Sequence, residues 1–409
     1  MAVSQPRGAT LYLNGEKLSE TTPAYLNQLT PGEYTIKLEK MGYSSWERKV
    51  VVQSGQTYFA EGLIMFPTDD PEQQMDQKIG WIDFSPKNKF ALFTISKDKT
   101  APLYLLDLDN AKTTLLSDDF VVEKGIKTLW SDSNTKCLLT SGNSTFLISA
   151  FWNYTAEDIS ALFNEYKFEK IKWAKNSTTQ LTALSTNKVY LIDTFLEKNA
   201  TAEIIFQYPK TKLISDFTLE GKNLYILTDS NKNTLVEKFS IAKKSEVILP
   251  ETELTIDSCA KPLFSGTFLN NKVIKCDNNS FYFVEKDLKN IRLEEKDYTR
   301  ISTHEYEAKT AMFTENKIQT IEQPTGTWSF YKITLPDISI TDLRWHNSPE
   351  YVFISDKGVI KAVETDSGYS VTLTEGGVTA FSANTDSTVL YFVKDGLLWR
   401  KTLYQSLFF

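Results

Sequence analysis

Two histidines, His304 and His346, and three cysteines, Cys137, Cys259 and Cys276, are all the imidazole and thiol chemistry this chain can offer. Zinc sites built from Cys and His need closely spaced pairs, and the sequence has no CxxC, no HExxH and no His cluster. Cys259 and Cys276 are a conceivable pair, but so odd and sparse a cysteine set reads first as isolated buried thiols. His304 lies in Ser302-Thr303-His304-Glu305 and His346 in the turn after Trp345; with no Gly-x-Ser-x-Gly elbow, both read as surface or turn residues. Among the carboxylates, Asp107, Asp109 and Asn110 form an Asp-x-Asp-Asn cluster, and Asp229-Ser230-Asn231-Lys232-Asn233 opens like a calcium loop. An EF-hand then needs Gly at its sixth position and Glu at its twelfth. Thr234 and Ser240 stand there instead, so both clusters read as hairpin turns. No catalytic residue, metal ligand or cofactor is expected. Paired acids for glycoside cleavage need only meet in space, so a polysaccharide hydrolase or lyase using channel carboxylates stays as the alternative.

The chain is 409 residues long, more than one compact domain usually holds. Its net charge is -7, and its 45 cations are 39 Lys and only 6 Arg. Arg supplies the planar fork that grips phosphates and base edges, so a nucleic-acid partner is not expected. Phosphate-cradling GxGxxG and Walker patterns are absent. No run approaches the roughly 18 apolar residues of a membrane span, and Met1-Ala2-Val3-Ser4-Gln5-Pro6-Arg7-Gly8 has no signal-peptide core. The chain as given reads as soluble.

The elements that must carry any site are strands. Through residue 66, short alternating runs are separated by turn signals: Ala9–Leu13 into Asn14-Gly15, Leu29–Glu39 with Pro31-Gly32 inside it, then Lys49–Val52 and Thr57–Phe59. Pro6-Arg7-Gly8-Ala9, Asn14-Gly15, Thr22-Pro23, Leu29-Thr30-Pro31-Gly32-Glu33-Tyr34 and Lys40-Met41-Gly42-Tyr43 occur in the order seen in PEGA domains. Residues 1–66 therefore resemble a PEGA module, a small β-sandwich-like unit of envelope proteins, with Arg7 where the eponymous tetrad has Glu. Residues 67–78 are polar, hold two prolines and read as a linker.

From residue 79 to 409 the chain repeats. An aromatic followed by a polar turn recurs at Phe84, Trp130, Trp173, Phe217, Phe268, Phe313, Trp345 and Phe381. The intervals are 46, 43, 44, 51, 45, 32 and 36 residues. Three to four short strands at such a period are the signature of β-propeller blades. The units resemble those of WD40 and TolB-like propellers, though no Trp-Asp dipeptide ends a third strand. The fold class expected is all-β, with eight blades favoured and seven possible because of the short 32-residue interval. Only Thr155–Phe163 reads as partly helical.

Periodic aromatics belong to the core, because each blade buries two faces. Aromatics outside the repeat frame are the better binding candidates: Trp152 and Tyr154, and Trp328 after the loop Gln323–Thr327. The expected function is a non-enzymatic envelope scaffold whose propeller face recognises a protein or glycan. The PEGA resemblance implies an extracytoplasmic protein, membrane-anchored through a segment before residue 1. An intracellular scaffold of the WD40 kind is a third possibility. A charge of -7 favours a neutral or basic partner.

Overall fold

The computed structural model describes the chain apart from residues 28, 96–98, 124, 151–153, 195–200, 209–212, 231–232, 242–249, 305–308, 324–326, 336 and 405–409. Two compact units emerge: one is Met1–Gln77 with Glu315–Thr320 and Ser329–Phe409, the other Lys78–Thr314 with Ile321–Trp328.

In the first unit the N-terminal module is a four-stranded sheet in which Thr10–Leu13 lies between Glu16–Thr21 and Gly32–Glu39, with Trp46–Val52 on the far edge. A parallel pair, Ala2–Gln5 with Ala60–Ile64, completes it. The Asn14-Gly15 turn forms as its sequence dictates: both residues take positive φ, and the Asn14 side chain accepts the Thr35 N–H at 2.8 Å. Leu11, Ile36, Leu38, Trp46, Val50 and Leu63 form the module's core.

Trp46 also reaches beyond its module. Its indole N–H donates to Glu364 at 2.6 Å, and Tyr351 and Ser367 donate to the same buried carboxylate. The Tyr351 hydroxyl in turn accepts the Ile64 N–H, and Tyr369 donates to the Ser45 carbonyl. Ile64 and Phe66 enter the core formed by Tyr351, Phe353, Phe381 and Phe392. The stretch 67–78, read from sequence as a linker, carries a strand: Glu72–Gln73 pairs antiparallel with Leu397–Thr402, and Arg400 clasps Glu72 at 2.9 Å. Its polarity fits an outermost strand, wet on one edge, as well as it fits a tether.

Beyond the N-terminal module the described residues form eight four-stranded sheets, the blades of a β-propeller. Blades one to five, from Trp81–Phe84 to Ile291–Glu295, lie in the second unit; blades seven and eight, from Ile340–Trp345 to Leu397–Thr402, lie in the first. The strands of blade six, Arg300–Thr303, Lys309–Phe313, Lys317–Glu322 and Ser329–Thr334, fall partly in each. The eighth sheet takes three strands from the C-terminal end and its fourth from Glu72–Gln73.

All eight marker aromatics are buried, none more than 8% exposed. Phe84, Trp130, Trp173, Phe268 and Trp345 end the first strand of their blade, and Phe217 and Phe381 lie further back on it. Phe313 is the exception, for it ends a second strand. The true counterpart of the marker in blade six is Thr303. The next residue, His304, donates its backbone N–H to Lys309 just as Ser85, Ser131 and His346 donate to Phe90, Lys136 and Tyr351. A buried Phe one strand late produced the short interval; the blade itself is whole. The recurrent turns are closed by side chains: Ser85 Oγ accepts the N–H of Phe90, Ser131 Oγ that of Lys136, and Asn384 Oδ1 that of Val389.

Two further expectations are corrected. The helical stretch begins later than its sequence implied: Thr155–Asp158 is the fourth strand of blade two, and the helix is Ser160–Tyr166. Cys259 and Cys276 are a disulfide, with Cα atoms 5.2 Å apart, rather than isolated thiols. Fold pairs them: the turn after Thr252–Ile256 and the end of Asn271–Lys275 are brought side by side, and Asp277 donates its N–H to the Ala260 carbonyl. Cys137 is a buried free thiol, its pKa pushed up by desolvation.

Candidate functional site

Of the three aromatics singled out by sequence, Trp152 lies outside the described residues. Tyr154 follows the third strand of blade two. Its ring meets Phe90 edge-on at 6.5 Å and has the Lys112 ammonium 5.9 Å from its centre. Trp328 precedes the fourth strand of blade six, and its half-buried ring packs against Phe268 and Phe283 at about 6 Å. Tyr154 and Trp328 are thus each a partly buried member of a local aromatic cluster.

The groups considered for chemistry hold turns and strands together. Asp107 accepts the Asp109 N–H and the Asn110 amide, which makes it an Asx turn. His346 accepts the Ser348 N–H on Nδ1 and packs among Tyr351, Phe353 and Tyr404. Asp83, on the first strand of blade one, takes hydrogen bonds from Thr128 and from the Trp130 indole, at 2.6 and 3.0 Å. Among the described residues, no three His, Cys, Asp or Glu side chains converge as a metal site.

One feature at the starts of the first strands escaped the sequence reading. In blades four, five, seven and eight the pairing slips, between Ile214 and Asp216, Phe264 and Gly266, Ile340 and Asp342, and Val378 and Ala380. The skipped residues are Ser215, Ser265, Thr341 and Thr379, every one a hydroxyl residue. Bulges bend a strand and re-aim the side chain that follows. Thr341 and Thr379 donate their hydroxyls to the Ser355 and Val393 carbonyls of the neighbouring strands. Nothing in the alternation of a strand this short announces such a slip, but a Ser or Thr recurring at one place in the repeat is a signal that could have found it.

In blade four the re-aimed residue is Asp216, only 1% exposed. Lys172 of blade three meets its Oδ2 at 2.6 Å, the Phe264 N–H of blade five donates to the same oxygen at 2.8 Å, and Lys170 stands 3.9 Å from Oδ1. Burial lowers the Lys172 pKa, and the Asp216 charge offsets part of that.

In blade seven the corresponding residue is Asp342, whose side chain is 48% exposed. It borders a cleft of about 430 Å³ lined by Thr341, Ser355, Lys357, Thr379 and Phe381. Gly358 makes the approach of blades seven and eight possible. It takes φ +84°, and a Cβ there would meet the Gly377 and Val378 amides at 3.1 and 3.2 Å. Beside the cleft Asp356 is engaged with Lys361 at 2.8 Å. Burial pushes its carboxyl up, but the hydrogen bonds from Lys361 and the Ser339 N–H, with the Lys361 and Lys357 charges, hold it below the usual range.

A small β module followed by a propeller is the class of protein these units define. Residues 3–62 match the PEGA domain family, so the N-terminal module is a PEGA domain. The propeller is similar to solved structures at low identity. Against the C-terminal WD40 domain of Sif2 the identity is 10% and the TM-score 0.52, covering 82% of this chain and 99% of that one. Against the dihydro-heme d1 dehydrogenase NirN in complex with DHE the identity is 10% and the TM-score 0.50, covering 79% of this chain and 72% of that one. No curated protein sequence matches the chain.

Proposed function

We propose that this protein is a non-enzymatic scaffold of the cell envelope, whose propeller loops recognise a protein or glycan partner. The observation that carries the reading is the engagement of the groups that could do chemistry. Asp83, Asp107, Asp216 and His346 are each held in a structural hydrogen bond. A rigid array of hairpins lowers the ordering cost of recognition, and WD40 propellers such as that of Sif2 share this fold. The Cys259–Cys276 disulfide supports an extracytoplasmic place, since such bonds persist in oxidising compartments. The PEGA module supports the same placement, with an anchor in a segment preceding residue 1 as part of the proposal. On this reading the partly buried Tyr154 and Trp328, with Trp152, belong to a contact face for a neutral or basic partner.

The test has two arms. Intact-mass analysis of alkylated protein from fractionated cells should find it in the envelope fraction with Cys259 and Cys276 bridged; cytosolic protein with both thiols reduced overturns the placement. A partner captured by crosslinking in cells should bind the purified protein, and replacing Trp152, Tyr154 and Trp328 by Ser should weaken that binding. Turnover of a polysaccharide substrate that disappears on Asp83→Asn or Asp216→Asn would overturn the scaffold reading.

A further inference from the structure

The sheet of the PEGA module ends on two very different edges. On one side, Glu16–Thr21 slips in register between its pairs with Thr10 and Tyr12, and such a bulge twists an edge away from new partners. The long outer strands Lys112–Val121 and Thr201–Gln207 of the second unit slip as well. On the other side of the module, Trp46–Val52 pairs with Gly32–Glu39 residue by residue without interruption. It holds no proline and ends on Val50, Val51 and Val52.

Alternation fixes which backbone groups of that strand are spare. Thr35 accepts the Asn14 N–H, so the odd-numbered residues of Gly32–Glu39 bond toward Thr10–Leu13. The even-numbered ones therefore bond Trp46, Arg48, Val50 and Val52, and the N–H and C=O of Glu47, Lys49 and Val51 point outward. Tyr369 of blade seven caps the near end, where its hydroxyl donates to the Ser45 carbonyl at 2.6 Å beside the Glu47 N–H. Beyond that cap, the Glu47 carbonyl and the backbone groups of Lys49 and Val51 have no hydrogen-bond partner among the described residues. The side chains of Glu47, Lys49 and Val51 share one exposed face, and Val51 is 60% exposed. Glu47 has Lys37 opposite, whereas Lys49 stands opposite Thr35 and has no ion pair among the described residues.

We propose that this edge takes an extended peptide of a partner protein as a fifth, antiparallel strand, with an acidic residue facing Lys49 and an apolar one facing Val51. Strand addition draws its affinity from main-chain bonds and its specificity from alternate side chains. A second copy of the same strand is a poor occupant. Setting Glu47 against Lys49 of the copy puts two Arg48 guanidiniums directly opposite and brings Val51 of the copy to the Ser45 carbonyl, which Tyr369 already holds. Centring the pair on Lys49 opposes two ammoniums, and centring it on Val50 leaves each Lys49 facing a Val51. A foreign strand with an acid at its centre satisfies Lys49 in one register. The site is on the module's own sheet, apart from the propeller loops of the scaffold reading, so either can fail without the other.

Arrays of six-residue peptides, randomised at three alternate positions, would be probed with the full chain, and the binders measured by fluorescence anisotropy. Selected peptides should carry Asp or Glu at the central randomised position, and hydrogen exchange should show the Lys49 and Val51 amides slowed on binding. Val51→Pro removes an outward N–H and no bond of the module's own ladder, so the variant should stay folded. It should bind the selected peptides about tenfold more weakly, the value of one main-chain bond with its partner left unmet. Lys49→Glu should turn the central preference from acidic to basic. No selected peptide, unchanged binding in folded Val51→Pro, or an acidic preference that survives Lys49→Glu overturns the proposal. So does protection of the same amides by concentration-dependent self-association without peptide, which assigns the edge to a second copy.

Discussion

Glu364 and Asp216, one in each unit, are nearly inaccessible carboxylates whose charge is handled in opposite ways. Asp216 is met by charge: Lys172 is in direct contact and Lys170 is behind it, with one backbone N–H added. Glu364 is met mainly by neutral donors, the Trp46 indole and the Tyr351 and Ser367 hydroxyls, while its nearest cation, Arg48, is 3.9 Å away and leans toward Asp366 at 3.1 Å. Hydrogen bonds to an ionised acceptor are worth roughly twice neutral ones, so three neutral donors hold a charge as well as one ion pair does. The difference lies in what each carboxylate joins. Asp216 locks neighbouring blades of one repeat, whereas Glu364 gathers donors from the PEGA module and from blade seven around one point.

The contrast breaks most visibly at Trp46. Trp46→Ala removes a fully buried ring and one of the donors of Glu364, and should cost about 3–5 kcal/mol of stability. Chemical denaturation of the variant should show the module and blades seven and eight lost at lower denaturant. An unchanged midpoint would mean that Glu364 is not the junction described.

Next in size is a paired substitution. Lys172→Met leaves Asp216 buried without its closest countercharge, a loss of about 3 kcal/mol, since breaking a buried pair from one side strands the other charge. Arg48→Met removes a more distant cation from a carboxylate that keeps its neutral donors, and should cost about 1 kcal/mol or less. Equal effects in thermal melts would erase the distinction between the two sites.

How much of this was legible in the sequence depends on the range of the interaction. Turn chemistry is local, so Asn14-Gly15 and the Ser85 and Ser131 turns could be read from a few residues. Burial of the repeated aromatics followed from periodicity and holds for all eight; their place on the first strand failed only at Phe313, where a second strand ends in the same residue type. Glu364 lies 318 residues from Trp46, and no local pattern marks an acid that will be buried by a module so distant. Cys259 and Cys276 were visible as residues, but their pairing depended on the second strand of blade five lying against the turn that closes blade four. Asp342 looked like any turn-proximal acid until the bulge set it beside a cleft.

The disulfide belongs to the second unit alone, which makes it a selective probe. Closing a loop across 17 residues is worth about 3 kcal/mol by the chain-entropy estimate. Cys259→Ser with Cys276→Ser should therefore lower the melting of the second unit and leave the Trp46–Glu364 junction in place. Loss of both in one transition at the same reduced temperature would show that the units do not melt separately.

The smallest effect is expected at alkaline pH, and it too should divide unevenly between the units. Tyr225, in the second unit, is raised from 10.0 to about 12 by burial first and then by the Glu220, Asp287 and Glu251 charges. Tyr404, in the first, is raised to about 12 by burial and then by Asp386. A tyrosine whose folded pKa is raised binds its proton more tightly when native. Its contribution is complete below the unfolded value of 10.0 and is lost as pH climbs through about 12. Stability should thus be level across neutral pH and fall in that window. Tyr225 is 1% exposed with its hydroxyl on the Lys286 carbonyl, whereas Tyr404 is half-buried with its hydroxyl bonded to the Asp386 carbonyl in exposed surroundings. Water screens the second more than the first, so Tyr225→Phe should flatten the alkaline limb more than Tyr404→Phe does. Thermal melts followed alongside tyrosinate absorbance would measure both. A steeper limb in Tyr225→Phe than in the parent would mean that the ring is not shielded as its burial implies.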